Sequence, residues 1–257
     1  MNKNNDEDKN LNHRFSGVES LYGKTSLERF TQAHIIVIGI GGVGSWVAEA
    51  LARNAIGEIT LIDMDVVAES NINRQLPALS STIGKNKIDV MATRIQDINP
   101  NCSVNLIDDF ISEDNLDELI SSGANFVIDC IDNSRVKAAL IASCKRRKIK
   151  IITVGGAGGQ TDPSQIKVSD LSRTEHDPLL SKTRKLLRQN FGFSSNVKRR
   201  FAVPCVYSTE HLKRPQKNIN AMALSCAGGL GSSVMVTASF GFIAVALVLK
   251  KLMNNNA

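Results

Sequence analysis

Short apolar runs alternate with amphipathic stretches along the first 154 residues of the chain. HIIVIG, from His34, is rich in β-branched residues without alternation, as a strand covered on both faces requires. In VGSWVAEALARNAI, Val43, Val47, Ala50, Leu51 and Ala55 recur at helical spacing and line one face. EITLID reads as a second strand. KNKIDVMATRIQDI places Ile88, Met91, Ile95 and Ile98 at steps of three, four and three, an amphipathic helix stopped at Asn99–Pro100. SVNLI follows as a strand, NLDELI as a short helix, NFVIDC as a strand, RVKAALIASCKRR as a helix and KIITV as a strand. Such alternation predicts a Rossmann-like, doubly wound, mainly parallel α/β sheet.

After GGAGG at 155–159 the rhythm breaks. QIKVSDL reads as one more strand and DPLLSKTRKLLRQ as a helix with Pro178 in its first turn. NFGFSSNVKRR lacks periodicity and is expected to form a mobile loop. Residues 233–249, SVMVTASFGFIAVALVL, carry no charge and are followed at once by KKL. They predict a C-terminal apolar helix, or a helix plus strand, buried in the fold with its lysines at the solvent end. Seventeen residues are also the lower limit for a membrane span, so peripheral or single-pass membrane association through 233–249 is the competing reading. The expected organisation is a disordered tail over 1–13 and one domain over 14–257, with a basic insertion at about 173–217.

A chain of 257 residues with 42% hydrophobic and 22% charged residues can bury a large core and reads as a soluble globular protein. Only 5% are aromatic, which argues against a single-strand nucleic-acid binder built on stacking. The net charge of +6 is unevenly placed: Arg173 to Lys217 holds eleven Lys/Arg against three Asp/Glu, leaving the rest slightly acidic. Clustered cations attract a polyanion, although charge alone does not separate that from a solvated face. The five cysteines form no CxxC pair, and their odd number points to reduced thiols in a cytoplasmic compartment.

Gly39, Gly41 and Gly44, with Gly42 between them, form GxGxxG between a predicted strand and a predicted helix. Positions without a Cβ let the backbone approach phosphates, and the helix N-terminus offers free N–H groups. The plainer reading is a tight strand–helix turn. Asp63 ends the second strand, where a carboxylate accepts ribose hydroxyls. That much suits a nicotinamide enzyme as well as an ATP enzyme. The next residues separate them: DMDVVAESNINRQ supplies Asp65, Asn71, Arg74 and Gln75, and IGKNK supplies Lys87. Hydride transfer has no evident need for an Arg and a Lys at the same phosphates. Nucleotidyl transfer does, because charge builds on the α-phosphate and on departing pyrophosphate. Asp132, just past the fourth strand in IDCIDN, suits Mg2+ or a helix N-cap.

Together GxGGVG, DxDxxxxSNxxRQ, the lysine of IGKNK and IDCIDN resemble the adenylating superfamily of ubiquitin-like-protein activators, which activate a carboxylate with ATP. RFSGVESLYG, TVGGAGGQTDPSQIKVSDL, the basic stretch and MVTASFGFIAV are similar to its branch of tRNA threonylcarbamoyladenosine dehydratases. The resemblance implies that Asp63 holds the ribose with Asp65 nearby. It also implies that Asn71, Arg74 and Lys87 bind phosphates, that Gln75 supports them and that Asp132 coordinates Mg2+. Arg14 matches an arginine that enters the partner subunit's ATP site, which implies a homodimer. The 155–159 loop would bind a monovalent cation or tRNA, and the basic stretch the tRNA backbone. Members are also associated with a cysteine desulfurase and its sulfur acceptor. The alternative is an adenylyltransferase for a sulfur-carrier protein; many of those carry two CxxC pairs, absent here.

Overall fold

The computed structural model describes residues 13–213 and 230–254. Residues 1–12, the last part of the basic stretch and Cys226 lie outside the described residues. Two helices, α1 (Ser16–Tyr22) and α2 (Lys24–Thr31), precede the sheet. Then follow β1 (His34–Ile38), α3 (Gly44–Arg53), β2 (Glu58–Ile62), α4 (Lys87–Ile98) and β3 (Ser103–Ile107). A single turn, α5 (Leu116–Leu119), leads to β4 (Phe126–Asp129), α6 (Ser134–Arg146) and β5 (Ile151–Val154). The rest comprises β6 (Ile166–Asp170), α7 (Pro178–Asn190), β7 (Pro204–Ser208) and α8 (Val234–Met253).

These strands form one seven-stranded sheet in the order β3-β2-β1-β4-β5-β7-β6, parallel except for the β6–β7 pair. The Rossmann-like α/β expectation holds. Alternation along β1 sends Ile35 and Val37 to one face and Ile36 and Ile38 to the other, into two separate apolar layers. Helices α2, α3, α4 and α8 cover the first face, and α5, α6 and α7 the second. Strand order reverses beside β1: β2 lies on one side and β4 on the other, and ligands bind at the carboxyl ends of such a junction.

The basic stretch is woven into this body. It provides α7 and also β7, a strand absent from the sequence expectation, which pairs parallel with β5 and antiparallel with β6. The intervening residues 191–203 have no helix or strand, as expected. The apolar C-terminal segment is one helix without a strand. By length and composition it passes for a membrane span, but about half of it is buried in protein. It crosses α3 at Gly241, where a Cβ would lie 3.0 Å from both the Trp46 Cβ and the Val43 carbonyl oxygen. Phe240, fully buried beside this crossing, contributes about 2 kcal/mol by leaving water. Arg29 of α2 donates to the Met253 carbonyl and closes the far end of α8.

Helices α3 and α4 are joined through Glu49, which is only 4% exposed. Its carboxylate accepts from Arg94 Nε at 2.6 Å, Arg94 Nη2 at 2.9 Å and Arg53 Nε at 2.8 Å. Burial pushes the Glu49 carboxyl up, but the two guanidinium groups outweigh it and hold it below the usual range. A depressed folded pKa gives stability that is present above the ordinary glutamate value of about 4.3 and lost as pH falls through the lower folded value. Glu49→Gln is therefore expected to cost about 2 kcal/mol at neutral pH and to flatten the acid limb of the stability profile. Urea titrations at pH 7 and on the acid side test this, and an unchanged acid limb would count against it.

Candidate active site

The cleft opens at the carboxyl ends of β1, β2 and β4 and has a volume of about 810 Å³. Gly39, Gly41 and Gly42 of the turn after β1 line it. Gly44 does not line the cleft but makes the turn possible. A Cβ at Gly44 would sit 1.8 Å from the Gly39 carbonyl oxygen, so any side chain there would force the loop away from α3.

Asp63 follows β2 and fastens this turn. Its Oδ2 accepts from Ile40 N at 2.5 Å and its Oδ1 from Asp65 N at 2.8 Å. Burial pushes the Asp63 carboxyl up, with Lys87 and the two amides pulling against it. Lys87, the first residue of α4, is buried, and its Nζ donates to Asp65 Oδ2 at 2.7 Å. Its ammonium is thereby held beside the cleft on a rigid helix instead of ranging through solvent.

Between these two points the chain makes a 3-10 turn over Glu69–Asn71. Asn71 is buried and accepts from Ala68 N at 3.1 Å, so it shapes the loop that presents Arg74. Arg74 Nη1 donates to the Ser70 carbonyl at 2.8 Å and to Asn73 Oδ1 at 3.0 Å. The Arg74 carbonyl accepts from Trp46 Nε1 at 3.0 Å, tying the loop to α3. Gln75 is buried with its Oε1 unpaired among the described residues, an acceptor left for a donor in the cleft.

Asp132 lines the cleft past β4 and is exposed. The structure removes its alternative reading as a helix cap. Asn133 caps α6 instead, accepting from Arg135 N at 2.9 Å and Val136 N at 3.3 Å. No hydrogen bond or ion pair ties up the Asp132 carboxylate among the described residues, so both oxygens are open to a hard cation. Directly behind it lies a buried network. Lys137 Nζ donates to Asp129 Oδ2 at 2.7 Å and Thr153 Oγ1 at 3.1 Å, while Thr153 Oγ1 donates to Asp129 Oδ2 at 2.6 Å.

One feature escaped sequence reasoning. Asp177 caps α7 through Leu180 N at 2.9 Å, and its other oxygen accepts from Gly156 N at 2.9 Å. It thus pins the glycine-rich loop, whose residues 155–158 line the cleft, and burial pushes its carboxyl up. The Asp–Pro opening of the helix was the available signal. Arg14, in contrast, lies outside this cleft and donates to the Asp97 and Ile98 carbonyls at the end of α4. Cys130 also lines the cleft, and burial raises its thiol, as it does that of fully buried Cys205, the opposite of the lowered thiol that marks a reactive cysteine.

The glycine turn, two cations and a carboxylate without a partner among the described residues thus face one space. Such a set can hold a nucleotide triphosphate and stabilise charge on its α-phosphate. Comparison with known proteins points the same way. The ThiF family model matches residues 16–256. A tRNA threonylcarbamoyladenosine dehydratase of Haemophilus influenzae is 55% identical over 251 residues, covering 96% of both chains. The crystal structure of the Escherichia coli tRNA N6-threonylcarbamoyladenosine dehydratase in complex with ATP is 52% identical, with a TM-score of 0.87, and the match covers 94% of each chain. The same enzyme in complex with AMP gives the same score and identity, covering 94% of this chain and 95% of that one. A molybdopterin-synthase adenylyltransferase of Salmonella typhimurium is 32% identical, but over 126 residues only, 49% of this chain and 50% of its own.

Proposed function

The chain belongs to the ThiF family, and we propose that it catalyses the ATP-dependent dehydration of threonylcarbamoyladenosine in tRNA. The observation that carries this reading is the convergence of Gly39, Gly41, Gly42, Arg74, Lys87 and Asp132 on one cleft at the carboxyl edge of the sheet. A 52% identical relative with the same fold binds ATP and AMP.

The free carboxylate of the threonylcarbamoyl side chain attacks the α-phosphorus of ATP. The bond to the bridging oxygen breaks and pyrophosphate leaves, giving an acyl-adenylate. A nucleophile in the same side chain then attacks the activated carbonyl, the bond to AMP breaks, and the nucleophile's proton passes to solvent. One carboxylate oxygen departs with AMP, so the nucleoside loses one water. Both reacting groups belong to one molecule, so proximity supplies much of the acceleration and no enzyme thiol is required.

In this reading Asp63 holds the ribose with Asp65 beside it, and the amides of the glycine turn receive phosphate oxygens. Arg74 and Lys87, on a frame shaped by Asn71 and Gln75, stabilise charge at the α-phosphate and the leaving pyrophosphate. The open carboxylate of Asp132 fits Mg2+, which when bound would neutralise phosphate charge. The 155–159 loop is the proposed seat of a monovalent cation or of tRNA. Homodimerisation would carry Arg14 to the partner's cleft. No described residue specifies a contact with a cysteine desulfurase or its sulfur acceptor.

The test is the mass of nucleosides from threonylcarbamoyl-modified tRNA incubated with enzyme and ATP. Loss of one water, with AMP and pyrophosphate formed in step, is the expected result. An unchanged nucleoside, with ATP–pyrophosphate exchange supported by a small carrier protein, would instead assign the chain to the sulfur-carrier adenylyltransferases.

A further inference from the structure

The edge of the sheet opposite the nucleotide cleft carries a second concavity, of about 880 Å³. Phe126 and Ile151, the first residues of β4 and β5, lie in its floor with Pro204 of β7, so it opens at the amino ends of the strands. Strands of this length rise about 3.3 Å per residue, which puts some 13–16 Å of sheet between the two openings. Six cations from three segments surround the second one. Lys145, Lys148 and Lys150 come from the end of α6 and the turn into β5, Arg200 precedes β7, and Lys250 and Lys251 end α8.

Among the described residues the one carboxylate in the lining, Asp170, is occupied by backbone: it accepts from Ser172 N, Phe201 N and Val203 N at 2.9–3.1 Å. Among the described residues, none of Lys145, Lys148, Arg200, Lys250 and Lys251 pairs with a carboxylate. Lys145 only reaches the Ala202 carbonyl at 3.4 Å, and Lys150 lies 5.5 Å from the Phe126 ring centre.

Cations favour helix C-termini, which accounts for Lys145, Lys250 and Lys251. It does not account for Lys148, Lys150 and Arg200, which come from connecting segments. Lys148 stands in left-handed backbone with φ 59°, a conformation that lysine rarely adopts. A hollow of one charge sign with an apolar floor focuses its field on an anion. The charges are spread around the rim, so they match a run of phosphates better than a single one.

We propose that this groove holds the sugar–phosphate backbone of the tRNA substrate at a stretch remote from the modified nucleotide. The inference rests on the tRNA reading given above. It locates a contact site outside the cleft, to which, among the described residues, only Arg200 of the cations in the 173–217 stretch contributes.

The experiment compares wild type with the exposed triple variant Lys148→Glu/Lys250→Glu/Lys251→Glu, and with the milder Lys→Gln set at the same positions. Full-length threonylcarbamoyl-modified tRNA is one substrate; its anticodon stem-loop is the other. In about 0.15 M salt the KM for full-length tRNA is expected to rise about tenfold or more in the Glu variant and less in the Gln variant. The kcat, the KM for ATP and the KM for the stem-loop stay as in wild type. Direct binding of tRNA should show a log K against log salt slope shallower by about 2, as three phosphate contacts of 0.7–0.9 each require.

An unchanged tRNA KM and salt slope, with normal ATP kinetics, would overturn the proposal. So would loss of binding to phosphatidylglycerol vesicles with tRNA affinity untouched, which would make the groove a membrane contact. A wild-type enzyme that removes no water from any tRNA would refute the parent reading instead, while the salt-dependent binding measurement would still decide the groove.

Discussion

Replacing Arg74 by alanine is expected to slow dehydration of the tRNA nucleoside by about 10²–10³-fold, the usual cost of removing one preorganised donor from a site of developing oxyanion charge. Among the described residues both of the guanidinium's contacts are made by Nη1, to the Ser70 carbonyl and the Asn73 side chain, so further N–H donors remain to face a phosphate. Those contacts fix direction but bury little, and the backbone at this position is held separately by Trp46 through the Arg74 carbonyl. The variant should therefore melt within a degree or two of wild type. Its loss should fall on kcat more than on the KM for ATP, because the charge Arg74 meets is larger in the transition state than in bound ATP. Single-turnover AMP formation with saturating tRNA gives the number. A rate within threefold of wild type would take Arg74 out of the chemistry.

Lys137→Met should produce the largest loss of stability, about 3–5 kcal/mol. Lys137 and Asp129 are both fully buried, and the ammonium answers the carboxylate directly and through Thr153. Methionine fills a similar volume but leaves Asp129 as an uncompensated charge between α6 and the sheet. For a chain of this size that corresponds to a fall in Tm on the order of 10 °C. The double variant Asp129→Leu/Lys137→Met removes both charges and should recover most of the loss, since a buried ion pair gains little over apolar groups of the same shape. If the double variant were as unstable as the single one, packing and not charge would be the reason. Asp129 ends β4 and its Oδ1 accepts from Ile131 N at 3.1 Å, one residue before Asp132. The single variant is therefore also expected to weaken ATP binding.

The parallel core was legible because strands covered on both faces must be apolar throughout, which separated β1, β2, β4 and β5 from the amphipathic helices between them. The cleft was legible for a related reason: Gly39, Gly41, Gly42, Asp63, Asp65, Asn71, Arg74, Gln75, Lys87 and Asp132 all line it. Polar residues placed just after buried strands have few other duties. β7 was not legible. It is five residues long, opens on a proline that demotes a strand, and stands in a stretch whose charge drew the reading toward the surface. α1 has no fully buried residue, with Val18 and Tyr22 only partly covered, and α2 fully buries Phe30 alone, so both are short helices at the margin of the core. The identity of the α6 cap turned on which of two neighbours, Asp132 or Asn133, turned inward, and side-chain direction is set by tertiary contacts that composition does not record.

The crossing of α8 over α3 has a consequence for how a cell makes this protein. α3 leaves the ribosome well before α8, its cover. Until Val236, Phe240 and Ala244 arrive, the apolar side of α3 faces water, and β5 waits on a neighbour strand that is itself translated late. Early domains of a nascent chain normally close as they emerge. Here closure waits until α8 has been made, so the half-made chain is the form most in need of a chaperone.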